Sequence, residues 1–206
     1  DENSVVLLGG GGILNEVKEI IQESSSYTIA GIVSDKLNKG VDGYPLLGRM
    51  EILKTLRSTN LKNLVLAFGI FENHKERENI FNKVIKMRYT LPNIIHKNAI
   101  VSHSVRLGSG NLILGNSYVG SNTVIKDNCI IDVGSTLAHN CLLADNVHIA
   151  PGANLAGGVS VKKNSLIGVG CNIYSNISIG ENVIISNGVS VFRDINNNTK
   201  IRPQMS

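Results

Sequence analysis

Leu107-Gly108-Ser109-Gly110-Asn111-Leu112-Ile113-Leu114-Gly115-Asn116-Ser117-Tyr118-Val119 carries the rule that governs nearly half of this chain. An aliphatic residue stands at every sixth position (Leu107, Ile113, Val119), and a Gly or Asn follows three residues later (Gly110, Asn116). In both directions the aliphatic series runs without a miss from Ile95 to Val191, seventeen positions in all. Neither the helical period near 3.6 nor the strand period of 2 produces such a series, whereas a hexapeptide β-helix does. The turn register from Gly110 to Gly188 holds only Gly and Asn, the residues that adopt a left-handed backbone at least cost. Each hexapeptide thus reads as a short strand and a turn with its aliphatic side chain inward. Three of them close a triangular coil of about 18 residues, and coils stack at about 4.8 Å. Residues 95–194 are the expected β-helix, and residues 195–206, which lose the pattern, the expected polar tail.

The preceding residues 1–94 alternate strand and helix patterns, which predicts a small parallel, Rossmann-like α/β domain. Ser4–Leu8 reads as a buried strand running into Gly9-Gly10-Gly11-Gly12, followed by a helix over Ile13–Gln22. Strands are expected at Tyr27–Val33 and Asn63–Phe68, and helices at about Met50–Leu56 and Asn73–Met87. A Gly-rich turn between a strand and a helix lets a phosphate approach the backbone at a helix N-terminus. As a dinucleotide fingerprint it is incomplete, because Leu14 stands where a third Gly belongs. A plain tight turn is the alternative. Asp35, at the tip of the second strand, suits ribose hydroxyls or a loop cap.

Composition narrows the classes. The formal charge of +4 is spread out and aromatics make up 4% of the residues, which argues against a nucleic-acid surface. No run of about 18 apolar residues predicts a membrane span, and no secretion signal is visible, so a cytoplasmic location is expected. Cys129, Cys141 and Cys171 all occupy the small inward position of the repeat and read as buried, structural thiols.

His139 and His148 interrupt an otherwise bland repeat. His139 falls on a turn and should point outward at an edge. His148 directly precedes inward Ile149 and should point off the outer face. Nine residues apart, they sit half a coil from one another, so a site that uses both needs two chains packed around a threefold axis. No metal site is expected: His103, His139 and His148 are spaced by 36 and 9, with no closely spaced pair and no acidic neighbour.

Ala138-His139-Asn140-Cys141 followed by Val147-His148-Ile149-Ala150-Pro151-Gly152-Ala153 resembles the sialic acid O-acetyltransferase and bacillosamine N-acetyltransferase branch of the hexapeptide-repeat acetyltransferases. The first strand with its Gly-rich turn and Gly43-Tyr44-Pro45-Leu46-Leu47-Gly48 resemble it too. The resemblance implies a left-handed β-helix, a homotrimer with active sites between subunits, and acetyl-CoA as donor to a sugar amine or hydroxyl. Under it, His139 is the general base, with Asn140 beside it where the family places an acidic residue. His148 contacts the acetyl thioester, the N–H of Gly157 faces the thioester oxygen, and Val169 lines the pantetheine groove. Gly11, Gly12, Ser34, Asp35 and Gly69 hold a nucleotide-linked amino sugar of the 4-amino-4,6-dideoxyhexose type. Ile13 departs from the family, which often has a His there, and Lys200-Ile201-Arg202-Pro203 lacks the usual Gly-x-Pro close. Two other readings stay open: O-acetylation of sialic acid or a related sugar, and a catalytically inactive β-helix that only binds nucleotide-sugars.

Overall fold

The structure, a computed structural model, describes residues 3–24, 26–69 and 74–203. Strands β1 (Ser4–Leu8), β2 (Thr28–Val33), β3 (Leu46–Gly48) and β4 (Asn63–Leu66) form one parallel sheet in the order β3-β2-β1-β4. Continuous apolar runs such as Val5–Leu8 are what a parallel sheet covered on both faces requires. Helix α1 (Gly12–Ser24) lays Leu14, Val17, Ile20 and Ile21 against one face. A 3₁₀ turn (Met50–Ile52), α2 (Leu53–Arg57) and α3 (His74–Lys86) cover the other, with Leu53 and Val84 in its core. The expected elements are all present among the described residues. Asn73, the expected start of the last helix, lies outside them.

From Ile94 the chain winds into a left-handed β-helix with two-residue strands paired in parallel, mostly eighteen residues apart, as in Val124↔Leu142. It has three faces, of seven, six and five strands. All seventeen aliphatics of the hexad series lie in its core, with Ile95, Val101 and Leu107 only partly covered at the open first coil. The left-handed positions agree as closely. Every Gly or Asn from Gly110 to Gly188 in the turn register has a positive φ, as in Asn116 at 57° and Gly158 at 74°.

The end of the repeat needs correction. Lys200–Ile201 pairs with Ile184–Ile185, and Ile195 bridges Ile179, so the coil continues through Ile201 instead of giving way to a polar tail at Ile195. The periodicity is lost only because the turn after Val191 is two residues shorter. Asp194 now accepts a hydrogen bond from the Ser178 N–H, sixteen residues back. Residues 204–206 of that tail lie outside the described residues.

The N-terminal domain sits on the seven-strand face. Ile94, Leu112 and Ile130 point outward from successive coils into a cluster with Leu14, Val17, Ile20 and Ile21 of α1. A polar seam runs beside it. Buried Asn128 donates to Asn146 (2.9 Å), Asn146 to Asn164 (2.8 Å), and Asn164 to the Glu78 carboxylate on α3 (2.9 Å). Asn146 thus serves twice, as a left-handed turn residue (φ 57°) and as the middle of this ladder. Replacing Asn146 by Gly should lower the melting temperature through the lost buried hydrogen bonds, each worth about 1 kcal/mol. Replacing it by Ala should lower it further, because a non-Gly residue pays roughly 1–2 kcal/mol more in this backbone region. An Ala variant as stable as the Gly variant would refute the backbone part of this account.

Candidate active site

The Gly-rich turn is built from two kinds of glycine. A Cβ on Gly9 would lie 2.4 Å from the Ala67 carbonyl oxygen, and one on Gly10 would lie 2.6 Å from Ser34 Oγ. These two are glycines because the chain is packed against them. Gly11 and Gly12 face open space, with no heavy atom within 4 Å of where a Cβ would stand. Here the absence of side chains bares the first N–H groups of α1, whose orphan donors and dipole favour an anion. Gly11, Gly12, Ser34, Asp35 and Gly69 line one cavity of about 200 Å³ between the ends of β1, β2 and β4. The structure therefore brings together all five residues assigned to the nucleotide sugar. Asp35 takes the loop-cap role left open for it and also stands on the cavity wall. Its Oδ1 accepts the Met50 N–H (3.1 Å), capping the 3₁₀ turn, and the residue lines the cavity. Buried Ser34 similarly accepts the Lys36 N–H at Oγ (3.1 Å), which fixes the loop behind it.

Sequence reasoning missed the opposite wall, which α3 supplies through Glu76, Arg77 and Ile80. Arg77 is 1% exposed. Its Nη1 donates to the carbonyl oxygens of Leu66 and Phe68, and its guanidinium lies 5.3 Å from the centre of the Phe68 ring. Burial pulls it down to about 9. The signal was an Arg in the first half of an amphipathic helix, which reads as solvated until a sheet end is placed over it.

His139 stands exposed on the corner where the six-strand face turns into the five-strand face. Its Nδ1 lies 3.0 Å from Asn140 Nδ2. A base acting through Nε2 carries its proton on Nδ1 and needs an acceptor there. The Asn140 amide supplies one when turned over to present Oδ1. Gly157, one coil above, lies directly under the ring: a Cβ there would come within 2.6 Å of Cε1 and 2.7 Å of Nε2. Its lack of a side chain is what leaves room for the imidazole against the coil.

His148 differs from expectation. It leaves the coil outward, but on the seven-strand face, one rung beyond Ile130, and it is only 4% exposed. An acidic partner is present after all. His148 Nε2 lies 3.1 Å from Asp132 Oδ2, while Asp132 Oδ1 accepts the Val133 N–H (2.7 Å). The pair reaches α1 as well. Glu16 on that helix has its carboxyl pushed up by burial, then by the charge of Asp132, then by Glu19. Asp132 and His148 are sixteen residues apart, a diagonal between coils that no local motif displays. Val169 is exposed on a third location, the corner between the seven- and six-strand faces, with its N–H donated to Asn187 Oδ1 (2.9 Å). Among the described residues no group of three His, Cys, Asp or Glu side chains is placed to hold a metal ion.

The thiols offer no nucleophile. Cys129, Cys141 and Cys171 are free and buried in the coil core. Burial pushes Cys129 up to about 12 and raises the other two as well. A thiol-specific disulfide reagent at pH 8 should find no rapidly reacting cysteine in the folded protein and all three in denaturant. Prompt reaction of even one in the folded state would contradict the packing described.

A coil of hexapeptides carrying an α/β domain with an anion-ready cavity is a bipartite architecture, and its two halves match separately. Residues 4–84 match the PglD N-terminal domain, and residues 122–157 match the bacterial transferase hexapeptide (six repeats). PerB from Caulobacter crescentus, crystallised with CoA and GDP-perosamine, is 33% identical, with a TM-score of 0.89 over 96% of this chain and 92% of that one. The acetyltransferase domain of PglB from Neisseria gonorrhoeae, solved with acetyl coenzyme A, is 29% identical, with a TM-score of 0.87 over 96% and 95%. WeeI from Acinetobacter baumannii, 20% identical with a TM-score of 0.80 over 96% and 95%, shares the fold. No curated protein sequence matches. The chain belongs to the hexapeptide-repeat, left-handed β-helix acetyltransferases of the sialic acid O-acetyltransferase and bacillosamine N-acetyltransferase family.

Proposed function

We propose that this protein transfers an acetyl group from acetyl-CoA to the amine of a nucleotide-linked amino sugar, of the 4-amino-4,6-dideoxyhexose type. One observation carries the reading. The five residues assigned to the nucleotide sugar converge on one cavity at a helix N-terminus, in a chain 33% identical to a protein that binds CoA and GDP-perosamine.

The chemistry is direct transfer in a ternary complex. The sugar nitrogen attacks the thioester carbonyl carbon while His139 Nε2 takes the proton that nitrogen loses. The N–H of Gly157 meets the oxyanion, an interaction worth roughly 3 kcal/mol when well aimed. Collapse expels the CoA sulfur, which takes the proton back from the imidazolium, leaving an amide and free thiol. By the family resemblance, His148, its ring held by Asp132, contacts the acetyl thioester of a neighbouring chain's donor, and Val169 borders the pantetheine arm.

The site is completed by a second copy. His139 occupies the corner opposite the seven-strand face, whereas the nucleotide cavity belongs to the domain seated on that face. One chain's base and cavity therefore serve different sites, which a homotrimer of side-by-side coils satisfies.

The test is thiol release from acetyl-CoA against a panel: GDP-, UDP- and dTDP-linked 4-amino-4,6-dideoxyhexoses, CMP-sialic acid and free sialic acid. Release with an amino-sugar nucleotide, giving a product stable to hydroxylamine, supports N-acetylation. A hydroxylamine-labile product with a sialic acid alone would replace the reading by O-acetylation. Binding of these nucleotides without any release would favour the inactive alternative.

A further inference from the structure

Arg77 is the one buried arginine among the described residues, and its hydrogen bonds are half made. Its Nη1 is engaged by the carbonyl oxygens of Leu66 and Phe68, and its guanidinium lies over the Phe68 ring. Nε and Nη2 are buried as well, yet neither has an acceptor among the described residues. Those two nitrogens form one edge of the planar fork, whose parallel N–H groups match a pair of anionic oxygens. Among the described residues no carboxylate forms an ion pair with Arg77. Glu76 beside it is exposed, Glu78 accepts from Asn164, and Asp35, on the same cavity wall, accepts from Met50. Burial lowers the guanidinium only to about 9, so it keeps its charge at neutral pH. A buried cation with an unengaged bidentate edge is costly unless an anion meets it.

We propose that Arg77 takes one phosphate of the nucleotide's diphosphate through its Nε–Nη2 edge while the bared N–H groups of α1 take the other, so that the cavity selects diphosphates over monophosphates; this rests on the nucleotide-sugar reading above. Two donor sets on opposite walls carry the argument. Gly11 and Gly12 open the helix N-terminus on one side, and Arg77 borders the cavity on the other. A monophosphate satisfies one set and leaves the other unmatched. Lys36 also lines the cavity, but a flexible ammonium is a point charge without a fixed fork. Arg77 is held at two carbonyls and a ring, so its open edge has one direction.

Calorimetry on the unaltered protein compares GDP, GMP and guanosine, and likewise UDP, UMP and uridine. For the base that binds, the diphosphate should be held roughly 10- to 100-fold more tightly than the monophosphate, the range for hydrogen bonds to a charged group. Arg77→Lys keeps a cation near the two carbonyls but has no fork. In it the diphosphate should fall to within about threefold of the monophosphate, with the nucleoside unchanged. Equal losses for all three would show a merely structural Arg77 and overturn the proposal. So would a diphosphate preference that survives the substitution, or a loss confined to free sialic acid, which would give the edge to a carboxylate. If a thermal melt shows that Arg77→Lys does not fold, the unaltered protein decides. The buried Nε–H should give a slowly exchanging signal in an arginine side-chain nitrogen–proton spectrum, moved by the diphosphate and not by the monophosphate. A signal moved by neither would overturn the proposal. Failure of every nucleotide to bind would remove the nucleotide-sugar reading itself, whereas diphosphate binding indifferent to Arg77 removes this residue alone.

Discussion

His139→Ala is expected to lower turnover by about 10²–10⁴-fold with the KM for both substrates little changed, the usual yield of a positioned general base. His139 is an exposed imidazole on a coil corner, with one nitrogen engaged by Asn140 and the other edge lying over Gly157. It contributes nothing to the apolar core, so the variant should melt as the parent does. Only the transition state should suffer, because the amine's proton is lost as the C–N bond forms. Steady-state kinetics and a thermal melt on the same preparation check both halves. Near-normal turnover would remove His139 from the mechanism.

Gly157→Ala is expected to cost about 100-fold in turnover, a loss on the scale of a 1 Å displacement at a reacting group. The added methyl would lie 2.6 Å from His139 Cε1 and 2.7 Å from Nε2, closer than any such contact can remain. Gly157 has no positive φ, so Ala fits its backbone, and the ring above it is exposed and free to swing outward. The strain is therefore relieved at His139 and not in the coil. Activity should fall while the melting temperature stays within about 1 °C. A matching loss of stability would mean that the ring is locked in place, and unchanged turnover would mean that its seat on Gly157 is not the working geometry.

Most of the β-helix was legible because its physics is local and repeated. Inward aliphatics every six residues and left-handed Gly or Asn three residues later determine the coil independently, and both registers hold in every hexad from Leu107 to Gly188. The Gly-rich turn was legible for the same reason, since a strand, a bend and a helix N-terminus are neighbours in sequence. What crosses between elements was not. Asp132 reaches His148 along a diagonal of sixteen residues, and Arg77 meets the cavity only when α3 closes over the ends of β1 and β4.

The burial of His148 did have a signal. Every eighteenth residue from Ile94 gives Ile94, Leu112, Ile130, His148, Leu166 and Ile184, an outward column almost wholly aliphatic. The corresponding columns on the other faces include Thr136, Asn154 and Asn172, or Arg106, Ser160 and Ser178. An apolar outward column implies a covered face, and the α/β domain covers it. The slip after Val191 shows the converse limit. Two missing residues shift a strict period out of phase while the strands beyond still pair.

The most direct test of direct acetyl transfer with His139 as base is the initial rate of thiol release as the amino-sugar nucleotide is varied at several fixed acetyl-CoA concentrations. The account predicts intersecting reciprocal plots, no release without acceptor, and loss of the signal in His139→Ala. Parallel plots with an isolable acetyl-enzyme, or release that survives undiminished in His139→Ala, would contradict it.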